Sequence, residues 1–267
     1  MFTDSHCHLT FPELSAQLQS IREAMAAARV DRALCICTTL EEAPQVVSLA
    51  QQYDNFWATV GVHPDNEGVS EPDVDTLVAL AGAPKVVAIG ETGLDYYRLG
   101  DRTTHQMEWQ RQRFRVHIQA ARRAQRPLVI HTRSAADDTL RLLMQEGGQD
   151  VGGVFHCFTE SAQVARAVLD LGFHISFSGI LSFKNAQDLR AVAAFVPLER
   201  CLIETDSPYL APVPYRGKLN SPAYVPFVAQ ALAQAKGLSV EAVAQATSQN
   251  FTRLFLNHGD APQPTPQ

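Results

Sequence analysis

Several features that would each have named a function class are missing from this chain. It holds no apolar run of the ~20 residues that a membrane span needs. Its most apolar stretch, Leu77 to Gly90, is broken by Pro84 and Lys85. Met1 to His6 offers neither a basic start nor an apolar run, so no signal peptide is expected. The 5 cysteines, Cys7, Cys35, Cys37, Cys157 and Cys201, are odd in number and form no C-x-x-C. That argues against a disulfide framework and a cysteine zinc knuckle, and points to a reducing, cytoplasmic setting. Basic surplus is absent too: 22 Lys+Arg stand against 28 Asp+Glu, a net charge of −6. A protein that coats nucleic acid needs a basic footprint to displace counterions, whereas contact with a single strand end does not. No G-x-G-x-x-G and no P-loop follows a strand-like run, which weakens an open doubly wound sheet. Nothing calls for a membrane or an obligate protein partner.

What is present is an ordinary globular composition over 267 residues, 46% hydrophobic and 19% charged, which excludes a disordered chain. Short apolar runs recur: Ala33–Cys37, Phe56–Val60, Val86–Ile89, Leu128–Ile130, Val154–Phe155, His174–Phe177 and Cys201–Ile203, with Phe2–Cys7 as an eighth. Continuous apolar runs of this length read as parallel strands covered on both faces. Amphipathic stripes lie between them, such as Leu14, Leu18, Ile21, Met25 and Ala28, then Met107, Arg111, Phe114, Ile118 and Ala121, then Val164, Ala167, Val168 and Leu171. These read as helix faces packed on a core. Eight strands in this length is about 33 residues per unit, the size of a (β/α)₈ TIM barrel. The expectation is one α/β barrel domain over 1–258, with 259–267 a frayed tail.

Nine histidines in an acidic chain are unusual, and their positions divide them. His6 and His8 stand two apart at the end of the first strand, on one face. His63, Glu91, His131, His156 and Asp206 each follow an apolar run. In a barrel the C-terminal strand ends converge on the face where active sites are built. His105, His117, His174 and His258 do not fit that pattern and read as structural or solvated. Four imidazoles, His6, His8, His131 and His156, with the carboxylates Glu91 and Asp206 and no thiolate, suit Zn²⁺, Mn²⁺, Co²⁺ or Fe²⁺. Six ligands exceed the three of a usual catalytic zinc, and two ions sharing a carboxylate would use them all. Cys7 and Cys157 read as small core residues. Asp4 and Glu204 share the inward parity, either orienting a ligand histidine or binding backbone.

The chain resembles the TatD family of metal-dependent hydrolases, in the amidohydrolase-like barrel superfamily. The matching stretches are DSHCHL at 4–9, GVHP at 61–64, GETGLDYY at 90–97, HTR at 131–133, HCF at 156–158, SFSG at 176–179, ETDSPYLAP at 204–212 and RGKLNSP at 216–222. The resemblance implies one ion on His6 and His8 with Asp206 nearby, a second on His131 and His156, and Glu91 as the bridge. Relatives elsewhere in the superfamily bridge with a carbamylated lysine, and here the bridging strand ends in Glu91 instead. Leu219 and Ser221 depart from the usual pattern of the last stretch, which bears on loop contacts to substrate. The cofactor expectation is two divalent ions per chain, drawn from Zn²⁺, Mn²⁺, Mg²⁺ and Co²⁺.

The resemblance also implies an activity, hydrolysis of DNA from the 3′ end, with DNA ends or nucleotides as substrate. Two cations can hold a hydroxide at neutral pH for attack on phosphorus. Asp206 is the candidate proton acceptor, with Glu91 the alternative. His63 and Arg133 are the nearest candidates to bind the phosphate, ahead of Arg98, Arg216 and Lys218. Tyr96, Tyr97 and Tyr209 are candidates to stack a base. The competing expectation is an ester hydrolase, such as a D-aminoacyl-tRNA deacylase, using the same site. A metal-binding scaffold without catalysis is a third.

Overall fold

A computed structural model describes residues 1–257. His258 and the tail expected over 259–267 lie outside the described residues. Eight parallel strands follow one another in chain order around a barrel: β1 (Phe2–Cys7), β2 (Val30–Cys35), β3 (Phe56–Val60), β4 (Val86–Asp95), β5 (Leu128–Arg133), β6 (Gly153–Phe155), β7 (His174–Phe177) and β8 (Cys201–Ile203). β8 returns to β1 through a parallel bridge between Cys7 and Ser207, with Asp206 N–H donating to His6 C=O and His8 N–H to Ser207 C=O, each at 2.9 Å. Each apolar run singled out above lies in one of these strands except Ala33–Cys37, whose last two residues, Ile36 and Cys37, continue beyond the end of β2.

Helices alternate with the strands and cover the outside. One outer cluster joins Ala33, Cys35, Ile130, Phe155 and Ile203 to helix residues such as Phe114 and Val168. A second cluster joins Leu34, Ile36, Val129, Val154 and Leu202 to Phe251 and Phe255 of the C-terminal helical segment. The second set is the barrel interior, plugged at its N-terminal end by the two phenylalanines. Strand parity then places the site, because side chains two residues apart share a face. His131 stands two beyond Val129, His156 two beyond Val154, and Asp206 four beyond Leu202.

Where the strands meet around the site, backbone must approach backbone closely. A Cβ on Gly93 would lie 1.9 Å from the His131 carbonyl oxygen, and one on Gly61 would lie 2.6 Å from the Gly90 carbonyl carbon. Glycine at these positions is what allows β3, β4 and β5 to bring His63, Glu91 and His131 together.

The stripe from Leu14 to Ala28 departs from expectation. It is two helices, Pro12–Ser15 and Leu18–Ala27, rather than one. Gln17 causes the break, since its side-chain amide takes the Glu13 carbonyl at 2.7 Å while its own N–H turns to Leu14. Among the described residues no helix is long and apolar enough to cross a membrane.

Candidate metal centre

The C-terminal ends of the strands enclose a cavity of about 580 Å³. His8, His63, Glu91, His131, His156 and Asp206 all line it, and His6 lies buried directly beneath. Glu91 is at the middle. Its Oε2 lies 3.2 Å from His6 Nε2 and 3.9 Å from His8 Nε2. Its Oε1 lies 2.8 Å from His156 Nε2, 3.2 Å from His131 Nδ1 and 3.3 Å from His63 Nε2. Asp206 Oδ1 lies 3.4 Å from His8 Nε2 and 3.6 Å from His6 Nε2. Three groups have ligand atoms close enough to share a cation: His6 with His156 and Asp206, His6 with His8 and Glu91, and His63 with Glu91 and His131. These groups cut across the pairing that the resemblance implies, because the rings of His6 and His156 stack at 3.9 Å.

Hydrogen bonding at the far side of each ring tells which nitrogen faces the cavity. His131 Nε2 meets Asp95 Oδ2 at 3.0 Å and His156 Nδ1 meets Glu204 Oε1 at 3.2 Å. A carboxylate there takes the N–H and leaves the other nitrogen bare toward Glu91, the arrangement that suits a metal-binding imidazole. Both ring nitrogens of His6 and Nδ1 of His8 are buried with no hydrogen-bond partner. Buried polar atoms left unpaired cost free energy, and a divalent cation on His6 would relieve the nitrogen facing Glu91. The donor set, imidazoles and carboxylates without thiolate, fits Zn²⁺, Mn²⁺ or Co²⁺.

His63 differs. Its Nδ1 accepts the Asp65 N–H at 3.0 Å. A neutral ring so bonded carries its proton on Nε2 and is a donor into the cavity. Three buried residues on one face of the helix Glu108–Ala124 hold its surroundings. Gln110 accepts the Asp95 N–H at 3.0 Å, Arg113 donates to the His63 and Asn66 carbonyls at 2.8 Å each, and His117 Nε2 accepts the Val62 N–H at 2.9 Å. Their positions, 110, 113 and 117, follow helical spacing.

Charge in the site follows from burial and partners. Burial works to raise the Glu91 carboxyl and is outweighed by His156, His63 and His6, so Glu91 is held well below the usual range. Burial likewise opposes charge on Asp206 and is outweighed by His8, His6 and His156. Burial also opposes charge on His156, yet Glu91 and Glu204 lift its imidazolium well above the ordinary value. Glu91 and Asp206 are thus favoured as anions, and a cation on His156 Nε2 would replace the second proton of its imidazolium.

Other sequence expectations divide here. Glu204 orients His156 as the parity suggested and also accepts the Cys157 N–H at 2.7 Å. Asp4 does not reach a ring. It binds the Thr205 hydroxyl at 2.5 Å and the Thr205 and His6 N–H groups, stitching β8 to β1, and burial lifts its carboxyl to about 8. Cys7 is a core residue, whereas Cys157 lines the cavity with its thiol against Ser178 Oγ at 3.2 Å. Arg133 reaches the cavity wall and stacks on Tyr97, with 3.7 Å from guanidinium carbon to ring centre. Tyr96 is absorbed into the wall, its hydroxyl donating to Asp138 at 2.7 Å. Asp95, Gln110 and Arg113 escaped the sequence reading. The signal available was a buried polar stripe interleaved with Phe114 and Ile118.

Comparison with known proteins agrees with this geometry. The family described as TatD related DNase matches residues 3–256. A metal-dependent hydrolase of Escherichia coli K12, YcfH, is 47% identical, covering 97% of this chain and 96% of its own length. A 3′-5′ ssDNA/RNA exonuclease, TatD of Salmonella typhimurium, is 34% identical, covering 94% and 98%. The crystal structure of the Escherichia coli TatD homolog YJJV superposes with a TM-score of 0.88 at 30% identity, covering 98% of each chain. The chain therefore belongs to the TatD family and is a metal-dependent hydrolase.

Proposed function

We propose that this hydrolase is a phosphodiesterase that trims DNA from the 3′ end with two divalent cations. The observation that carries this reading is the placement of Glu91, with one oxygen toward His6 and His8 and the other toward His131, His156 and His63. A carboxylate that serves two nitrogen-rich lobes suits a shared ligand of two ions. His6, His8 and Asp206 would hold one ion, and His131 and His156 the other. Bound there, divalent cations supply Lewis acidity to water and to phosphate oxygens at neutral pH. The activity named for the Salmonella typhimurium relative supports nucleic acid as the substrate class.

The chain's own groups then have distinct tasks. Asp206, anionic at the cavity wall, accepts the proton of the attacking water. Water oxygen joins phosphorus as the P–O3′ bond breaks, and the departing O3′ regains a proton. The products are a 5′-mononucleotide and a strand shortened by one residue with a free 3′-hydroxyl. His63 donates from Nε2 to a non-bridging phosphate oxygen, and the Arg133 fork binds a second.

The test strips the purified chain of metal and resupplies Zn²⁺, Mn²⁺, Mg²⁺ or Co²⁺. A 5′-labelled single-stranded DNA and a D-aminoacyl-tRNA are then assayed side by side. The expected result is a metal-dependent ladder shortening from the 3′ end, lost in Glu91→Gln. Full activity in Glu91→Gln removes the bridging role. Turnover of the aminoacyl ester alone replaces the phosphodiesterase with an ester hydrolase.

A further inference from the structure

Resting on the phosphodiesterase reading, we propose that the body of the DNA strand leaves the metal centre over one side of the barrel mouth. That side is formed by the loops after β7 and β8, where unpaired cations and exposed rings form a binding surface for single-stranded DNA.

The two sides of the mouth differ in charge. The loop after β3 carries Asp65, Glu67 and Glu71, and the cations facing it are neutralised. Arg98 lies 3.3 Å from Asp65, Arg102 lies 2.8 Å from Glu67, and Arg113 pairs with Glu71. Residues 178–186 and 207–222, after β7 and β8, contain no acidic residue and carry Lys184, Arg216 and Lys218. All three are exposed, and among the described residues none pairs with a carboxylate. On a chain of net charge −6, these loops repel a polyanion less than the loop after β3 does.

Aromatic rings accompany these cations. Tyr209, on the loop after β8 and lining the cavity, is 57% exposed, and Tyr97, just past β4 and under the Arg133 guanidinium, is 62% exposed, although large rings are usually covered. Arg216 stacks on Phe183 at 3.6 Å, as Arg133 does on Tyr97. Arg216 also donates from Nη1 to the Ala211 carbonyl at 3.3 Å, which holds the guanidinium on the ring and leaves its remaining N–H groups for phosphate. The loop that bears Arg216 and Lys218 is tied to the strand end carrying Asp206. Asn220 Nδ2 donates to the Thr205 carbonyl at 2.8 Å and the Tyr209 carbonyl at 2.6 Å. Rings that stack any base, beside cations that track the backbone, are the recurring means of holding a single strand without reading its sequence. The terminal base would stack on Tyr209, which lines the cavity, and the next phosphates would pass toward Arg216 and Lys218.

The experiment uses metal-loaded protein and a fluorescent dT12 whose 3′-terminal linkages are phosphorothioates, read by anisotropy across a salt series. Arg216→Glu with Lys218→Glu should weaken binding about tenfold or more and lower the salt slope by about 1.4, at ~0.7 per lost phosphate contact on a single strand. Arg102→Glu, on the acidic side, should change binding less than about twofold. The ratio of kcat/KM for dT12 to that for a thymidine dinucleotide should fall about tenfold in the double variant. Lys218→Glu alone, at an exposed loop position, should give part of each effect. Unchanged dT12 affinity in the double variant overturns the surface, as does an equal loss in Arg102→Glu. If the dinucleotide is still cleaved in that case, the phosphodiesterase reading stands. Cleavage of neither substrate by the wild-type chain overturns both.

Discussion

At the C-terminal ends of the strands the barrel opens into the cavity of about 580 Å³ that holds Glu91 and the histidines; at the other end lies a groove of about 660 Å³ lined by Arg29, Arg32, Glu241, Gln245 and Arg253 among others. By size alone the second would be the better site. Their polar groups separate them. In the groove none of the lining polar groups is a buried atom left without a partner, and several are bonded: Arg32 donates to Thr252 Oγ1 at 2.7 Å, Arg253 donates to the Asn250 amide oxygen, and Ser248 accepts from Thr3 at 3.0 Å. In the cavity, buried nitrogens of His6 and His8 have no partner, and two other imidazoles are turned by carboxylates behind them. Uncommitted, oriented polar atoms mark a place prepared for a ligand, and volume does not.

The largest break in this comparison should come from Asp206. Asp206→Asn removes the proposed proton acceptor with little change in shape and should lower kcat by ~10²–10⁴-fold. Arg253→Ala in the groove should alter kcat less than about twofold, both read by steady-state hydrolysis of a phosphodiester. Loss of the groove-end plug should show the opposite selectivity. Phe255 is fully buried among Leu34, Val87 and Phe251. Phe255→Ala should cost ~3–5 kcal/mol in a urea melt while leaving the metal affinity of the folded fraction intact. Next in size are the carboxylates behind the imidazoles. Glu204→Gln and Asp95→Asn should each weaken metal binding ~10–100-fold in a chelator competition. Asp4→Asn, at the seam and touching no ring, should alter melting more than metal affinity. Equal metal loss in all three would remove the distinction drawn between Asp4 and the other two.

Much of this was legible before any coordinates. Strands covered on both faces write themselves as unbroken apolar runs, so Val86–Ile89 and Leu128–Ile130 marked β4 and β5 directly. The ligand candidates were legible for the related reason that polar residues just past such runs must face something polar at the barrel mouth. The lengths of β4 and β5 were not legible. Both run on through polar residues, where Gly93 pairs with His131 and Asp95 with Arg133. That pairing is a property of two segments far apart in sequence. Asp95 was missed for the same cause, since its partner His131 is 36 positions away. Gln110, Arg113 and His117 occupy a helix face that Phe114 and Ile118 make look apolar, and only the loop backbone they hold explains their burial. Asp4 and Glu204 had identical parity and different fates, because parity gives the direction of a side chain and not its partner.

Two histidines outside the metal site sharpen the comparison of ends at the smallest scale. His117 serves the cavity end and His174 opens β7 at the groove end. Burial pushes each imidazolium down to about 4, aided at His174 by Arg200 and Arg253. The unfolded chain, with an ordinary value near 6.5, binds a proton first as pH falls. Each therefore contributes stability that is present above pH 6.5 and lost as pH falls toward 4, at about 1 kcal/mol between pH 6.5 and 5.5. His117→Gln and His174→Gln should each flatten this acid slope by that amount in melts followed across pH. At pH 7 they should differ. His117 has both ring nitrogens bonded, Nε2 to Val62 N–H and Nδ1 to the Arg113 carbonyl at 2.8 Å. His174 Nδ1 has no partner. His117→Gln should therefore cost about 1 kcal/mol more than His174→Gln at pH 7, and should also raise KM by loosening the loop that holds His63. An unchanged KM would mean that the helix stripe supports the fold at the cavity end without setting its geometry.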